Sequence, residues 1–142
     1  MIVLDTNVVS ELMAPAPSDA VLAWLSSQRV LDDLFITTIT VAEILYGVEL
    51  PPKSKRQERL LRESEAMFAE DFAARILSFD EAAARIFAPM VAARRAQGRP
   101  VSVLDGQIAA ISRAHSATLA TRNTADFEGC GVRLLNPWQQ GS

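Results

Sequence analysis

Four carboxylates stand where an apolar run gives way to a helical pattern. They are Asp5 in Leu4-Asp5-Thr6-Asn7, Glu43 in Thr40-Val41-Ala42-Glu43, Asp105 in Ser102-Val103-Leu104-Asp105, and Asp126 in Thr121-Arg122-Asn123-Thr124-Ala125-Asp126. In an open α/β sheet, ligands collect outside the carboxyl ends of the strands, where such junctions lie. Convergence of all four on one rim would make a set of oxygen donors with concentrated negative charge. Mg²⁺ or Mn²⁺ suits such a set, because these hard cations take a few carboxylates and keep several waters. A cation held there activates water and stabilises charge on a phosphate and its leaving oxygen, which is nuclease chemistry.

Each acid also has a purely structural explanation. Asp5 can cap a helix, and Asp126 can cap a single turn before Phe127. Glu43 with Thr40, and Asp105 with Ser102, both fit the Ser/Thr-x-x-acid capping pattern. Capping requires no convergence, whereas a shared cation does, so the relative placement of the acids decides between the two.

Other catalytic schemes lack their residues. The one histidine, His115, falls at a helix end, which leaves histidine-based metal sites and histidine-pair ribonuclease chemistry without a partner. Lys53 and Lys55 are the only lysines, so there is no Gly-x-x-x-x-Gly-Lys phosphate loop, and no Gly-x-Ser-x-Gly elbow occurs. Cys130 is the single cysteine and reads as a small apolar filler.

The elements that must position the acids follow from periodicity. Met1-Ile2-Val3-Leu4 is a continuous apolar run, the pattern of a strand buried on both faces. Val8, Val9 and Leu12 open a helix after it. Ser18 caps a helix over Asp19–Ser27 with Val21, Leu22 and Leu25 inward and Trp24 beside them. Leu34–Thr38 is a second strand, and a helix beginning at Thr40 runs through Val48 until Pro51-Pro52 stop it. A basic helix over about 54–70 buries Leu60, Leu61, Met67 and Phe68. Arg75–Phe79 is a third strand, and Asp80 caps a helix that Pro89 should break or kink after Ala88. Gly98 and Pro100 end that segment. Ser102 then opens a helix with Leu104, Ile108 and Ile111 on the buried stripe. Thr118–Thr121 and Val132–Leu135 complete the strands. Strands alternating with helices, without an internal repeat or linker, predict one three-layer α/β domain with a parallel sheet over residues 1–138 and a flexible tail at 139–142.

At 142 residues, with 49% hydrophobic and 22% charged, the chain has an ordinary globular balance. No basic leader precedes the first strand, no run approaches a membrane span, and a lone cysteine suits a reducing compartment, so a cytoplasmic location is expected. The net charge of −3 speaks against nucleic acid until its distribution is examined. Residues 1–52 carry seven acids and one base, while residues 53–62 carry five bases against Glu58 alone. Such segregation fits an acidic metal pocket beside a basic surface, and equally a solvated helix stitched by pairs such as Glu58–Arg62 and Arg59–Glu63.

Taken in order, Asp5-Thr6-Asn7 after an N-terminal strand, Thr-Val-Ala-Glu43-Ile-Leu-Tyr-Gly, Val-Leu-Asp105-Gly-Gln-Ile-Ala-Ala and Thr121-Arg-Asn-Thr-Ala-Asp126-Phe resemble the PIN-domain ribonucleases. The closer resemblance is to the VapC and FitB toxins of bacterial toxin–antitoxin pairs, and the closing Leu135-Asn136-Pro137-Trp138 is typical of the FitB-like branch. It spans about residues 1–138. The resemblance implies a five-stranded parallel sheet of order 3-2-1-4-5 and Mg²⁺- or Mn²⁺-dependent endoribonuclease activity. It places Asp5, Glu43, Asp105 and Asp126 at the catalytic metal site, with Asp5 and Asp105 foremost, and Asn7 and Thr121 in support. It also implies a homodimer, with Leu60 and Leu61 as candidate apolar contact surface, and a small DNA-binding antitoxin as partner.

Arg56, Arg59, Arg62 and Arg122, with Arg94, Arg95 and Arg99 as further candidates, would meet RNA phosphates. Two rival readings remain. In one, Asp5 is the nucleophile of a phosphohydrolase or phosphoacceptor; Asn7 in place of a second acid counts against it. In the other, the domain is a non-catalytic binding module acting through its antitoxin or DNA partner, and the acids are caps.

Overall fold

The computed structural model describes residues 1–27 and 33–139. Five strands form one parallel sheet: β1 (Ile2–Leu4), β2 (Leu34–Thr37), β3 (Ile76–Leu77), β4 (Thr118–Ala120) and β5 (Arg133–Leu135), in the order β3-β2-β1-β4-β5. β1 is central. Ile2 is in register with Leu34 on one side and Thr118 on the other. The sheet is therefore the one that the resemblance implies.

Because side chains alternate along a strand, neighbouring residues of β1 serve opposite cores. Val3 packs with Leu119, Ile108, Ile111, Met90 and Phe127 on one face. Leu4 packs with Ala120, Val8, Val9, Trp24, Ile36 and Ile44 on the other. The first face is covered by α5 (Glu81–Ala96) and α6 (Val103–Ala114). The second is covered by α1 (Thr6–Met13), α2 (Asp19–Ser27) and α3 (Thr38–Glu49), with α4 (Lys55–Ala66) packed on α3. A single turn, α7 (Thr124–Phe127), and a 3₁₀ turn over Pro137–Gln139 complete the chain.

Several expectations need correction. The strands are shorter than their apolar runs: Thr38 starts α3, and Arg75, Ser78, Phe79, Thr121 and Val132 lie outside the ladders. Leu22 and Leu104 are exposed: Val21 and Trp24 take the inward face of α2, and Leu104 lies in the first turn of α6. Pro89 neither breaks nor ends α5, which runs unbroken to Ala96. It occupies the solvent face, where water can satisfy the carbonyl it leaves without a donor, and the buried neighbour Met90 holds the register. The basic helix stops at Ala66 and continues as a π turn, Met67–Asp71, that seats Phe68; Leu60, Leu61 and Met67 are only half-buried. Asp80 caps α5 by accepting from Ala83 N–H at 2.9 Å, and Gly98 leaves the helix with φ +72°, as foreseen. Gln139 belongs to the closing turn, and the rest of the expected tail lies outside the described residues. No helix among the described residues is long and apolar enough to cross a membrane.

Candidate active site

The carboxyl ends of the inner strands build the site. Asp5 N–H donates to Ala120 O at 2.9 Å, and Thr121 N–H donates to Leu135 O at 2.9 Å, each one residue beyond its strand. These two bonds extend the ladder and set Asp5 and Thr121 side by side at the carboxyl ends of β1 and β4. Asp5 then begins α1 as its N-cap, with Oδ1 accepting from Thr6 N–H at 2.8 Å. Its Oδ2 accepts from the Thr121 hydroxyl at 2.8 Å and from Asn7 Nδ2 at 3.3 Å. Capping therefore occupies one carboxylate oxygen, while Thr121 and Asn7 aim the other.

Glu43 does not close a capping box. The N-cap of α3 is Thr37, whose hydroxyl accepts from Thr40 N–H at 3.2 Å, so Glu43 lies beyond the first turn. Its Oε1 accepts from the Thr6 hydroxyl at 2.7 Å, and that hydroxyl also lies 3.0 Å from Thr40 Oγ1. At Asp105 the expected cap is present: Ser102 Oγ accepts from the Asp105 N–H at 3.2 Å, which leaves the direction of the carboxylate unexplained by capping. Asp126 lies exposed within α7, whose N-cap Asn123 makes no side-chain capping bond.

Asp5, Glu43 and Asp105 line one cleft of about 510 Å³, together with Thr6, Asn7, Ser10, Glu11, Arg122, Asn123 and Trp138. Asp126 lines an adjoining hollow of about 400 Å³ that shares Asp105 with the first. The electrostatics bind the four into one chain of influence. Burial pushes the Asp5 carboxyl up to about 6, against the pull of the Thr121 hydroxyl and Thr6 amide, and the charges of Asp105 and Glu43 push the same way. Burial likewise raises Asp105 from the ordinary carboxylate range, opposed by Ser102 and reinforced by the charge of Asp126. Yet among the described residues no three acids, histidines or cysteines are gathered tightly enough to cage a metal ion by themselves. The two findings are compatible. A hard cation that keeps most of its waters needs one or two direct carboxylates, and the rest can act through water.

The arginines divide. Arg122 lines the cleft, its guanidinium carbon 5.0 Å from the centroid of the Trp138 ring. Arg56, Arg59 and Arg62 are exposed on α4 but line neither hollow, and Arg59 faces Glu63 at 3.9 Å. Arg95 is exposed on α5, and Arg99 reaches Glu128 at 3.4 Å. Arg94, considered above for RNA, is a structural residue instead. It is 4% exposed and donates to the carbonyls of Arg99, Asp126 and Glu128 and to Cys130 Sγ. His115 is exposed as the C-cap of α6.

Sequence reading missed Thr6, Ser10, Glu11, Asn123 and Trp138. A signal for the α1 residues was present: Asn7, Ser10 and Glu11 at i, i+3 and i+4 make a polar stripe on an otherwise apolar helix. Trp138 stood in the closing Leu-Asn-Pro-Trp motif, but its place in the cleft depends on how the chain turns after β5.

Residues 2–129 match the family model described as the PIN domain. The chain is 42% identical over 138 residues to the toxin FitB of Neisseria gonorrhoeae, covering 97% of this chain and 99% of the relative. It is 40% identical over 139 residues to the VapC ribonuclease Y4jK of Sinorhizobium fredii, covering 98% and 99%. Among solved structures it resembles one described as FitAB bound to an IR36 DNA fragment, with a TM-score of 0.92, 41% identity, and coverage of 100% of this chain and 99% of that one.

Proposed function

The chain belongs to the PIN-domain family, in its VapC/FitB toxin branch, and from that premise we propose that it is a divalent-metal-dependent endoribonuclease, the toxin of a toxin–antitoxin pair. The observation that carries the reading is Asp5. It is a carboxylate 5% exposed, held by three donors at the mouth of the central strand, and raised to about 6 partly by the charges of two other acids on the same cleft. Unassisted, such a cluster is a liability, since like charges in a partly buried site repel. Its donors are all oxygens, which fits Mg²⁺ or Mn²⁺.

Asp5 and Asp105 would hold the ion, with Glu43 contributing from α3 and Asp126 binding it or orienting water from the adjoining hollow. The ion supplies Lewis acidity toward the phosphate and a more acidic water. The chain's own groups do the positioning. Thr121 and Asn7 fix Asp5 Oδ2, Thr6 fixes Oδ1 through its amide and Glu43 through its hydroxyl, and Arg122 offers the cleft a cation. Supporting hydrogen bonds of this kind keep a carboxylate ionised and correctly turned.

RNA cleavage compared in Mg²⁺, in EDTA, and with Asp5→Asn tests the proposal. Loss in the last two is expected, and equal cleavage in all three refutes it. The rival, a non-catalytic module acting through its partner, draws support from the lack of a three-acid cage among the described residues. Normal growth during expression without antitoxin, with no RNA cut, would favour it. The partners we propose are a small DNA-binding antitoxin, a reading supported by the likeness to the FitAB structure bound to DNA, and a second copy of this chain. The domain we propose spans residues 1–138.

A further inference from the structure

Resting on the nuclease reading above, we propose that Trp138 is a positioning residue for Arg122 and that the stacked pair forms the cleft's binding element for an RNA phosphate. Arg122 is the cation that lines the cleft, and it does so beside Asp5, Glu11, Glu43 and Asp105. A flexible arginine in that company should fold onto a carboxylate, since a charge-assisted pair is the strongest hydrogen bond open to it. It does not. Among the described residues no ion pair joins Arg122 to an acid.

What holds it away is visible at three points. Arg122 N–H donates to Asn7 Oδ1 at 3.3 Å, which ties the residue to α1. Its carbonyl accepts from Asn136 Nδ2 at 3.4 Å, and Asn136 Oδ1 accepts from Trp138 N–H at 2.9 Å, which ties it to the closing turn. Its guanidinium lies over the Trp138 ring, 5.0 Å from the centroid. The indole itself packs against the core formed by α1, α2 and α3. Trp138 is thus anchored from behind and serves the arginine as a platform.

The stacking has a directional consequence. All five N–H donors of a guanidinium lie in its plane, so an arginine that meets the ring with its face keeps its N–H edges for a ligand. An edge matched to two phosphate oxygens is what a nuclease cleft otherwise lined by acids lacks. The arginines of α4 do not line this cleft, and Arg94 and Arg99 line the adjoining hollow instead, so the phosphate nearest Asp5 and Glu43 falls to Arg122.

The test measures affinity for single-stranded RNA in EDTA, where cleavage is lost, across a salt series, beside KM and kcat in Mg²⁺. Arg122→Ala should weaken binding about tenfold, the worth of one charged hydrogen-bonding contact. It should also flatten the logarithmic salt slope by about 0.7, one phosphate contact to a single strand. Trp138→Leu should reproduce both effects, the double variant should add nothing further, and Trp138→Phe should recover most of the loss. Additive losses, or a Trp138→Leu protein with the wild-type salt slope, overturn the proposal.

Should Trp138→Leu fail to fold, Arg122→Lys and Trp138→Phe decide. Lysine keeps the charge without a planar face and should bind about as weakly as Arg122→Ala; wild-type affinity in Arg122→Lys overturns the proposal. Binding that follows this pattern with no strand cleavage removes the nuclease reading and supports the pairing. Cleavage with unaltered KM and affinity in Arg122→Ala removes the pairing alone.

Discussion

Replacing Asp5 by Asn, and following urea unfolding in EDTA as a function of pH, isolates one carboxyl group of the cleft. Burial raises that group from 3.8 to about 6, net of the hydrogen bonds from Thr121 and Thr6 that act the other way. The folded protein therefore binds the Asp5 proton more tightly than the unfolded chain does. Between about pH 4 and about pH 6 the native state holds a proton that the unfolded state has released, so stability falls as pH rises through that window. At roughly 1.4 kcal/mol per unit, the loss reaches about 3 kcal/mol and then levels off. The Asn variant has nothing to titrate at this position. The stability of wild type minus that of Asp5→Asn should thus drop by up to about 3 kcal/mol between about pH 4 and about pH 7, with the carboxyl groups remote from the cleft cancelling in the difference. Saturating Mg²⁺ should recover most of the loss above about pH 6, because the cation takes only the ionised carboxylate, and its apparent affinity should weaken below that pH. A difference that is flat, or that rises with pH, refutes the electrostatic account of the cleft.

Asp105→Ala and Glu43→Ala should each lower RNA cleavage by about a hundredfold or more, the scale on which a preorganised charged group contributes to catalysis, while the urea midpoint stays near wild type. Gly106→Ala places a methyl 2.9 Å from Phe87 Cε2 and 3.0 Å from Val91 Cγ2, where α6 meets α5. Overpacking of this kind should cost about 1–3 kcal/mol in chemical denaturation, with cleavage falling in proportion only if Asp105 shifts with its neighbour. Arg94→Met should cost about 3 kcal/mol or more in thermal or urea unfolding, since it leaves the carbonyls of Arg99, Asp126 and Glu128 short of a buried donor.

How much of this was legible in the chain varies with the physics involved. The central strand, the helix order and the sheet were readable because apolar runs and capping residues act locally, and Asp80 and Ser102 cap where the pattern put them. Element ends were less so. Thr37 and Thr38 are both β-branched and suit a strand, and only the side-chain bond from Thr37 to Thr40 N–H decides that the helix begins. Leu22 and Leu104 carry the right period, yet both remain exposed in the fold. Of the acids, Asp5, Glu43 and Asp105 meet on one cleft, as convergence required, and Asp126 stands in the adjoining hollow. The role of Arg94 could not be read, because its partners are backbone carbonyls from residues up to 34 positions away. Arg122 and Trp138 are brought together by the return of β5, a long-range event without a local signature.

The acids do not all stand on the same part of the molecule. Asp105 rides on α6, locked to α5 at Gly106, and the Asp126 turn is fastened to α5 by Arg94. Glu43 belongs to α3, whose buried Ile44 joins the core on the other face of the sheet. Asp5 sits on the boundary where these two separately packed slabs meet. Mutual repulsion of the carboxylates pries at that seam, and any cation shared across it acts as a rivet. Charge in the groove and the fit of one half of the domain against the other are in this way a single mechanical property.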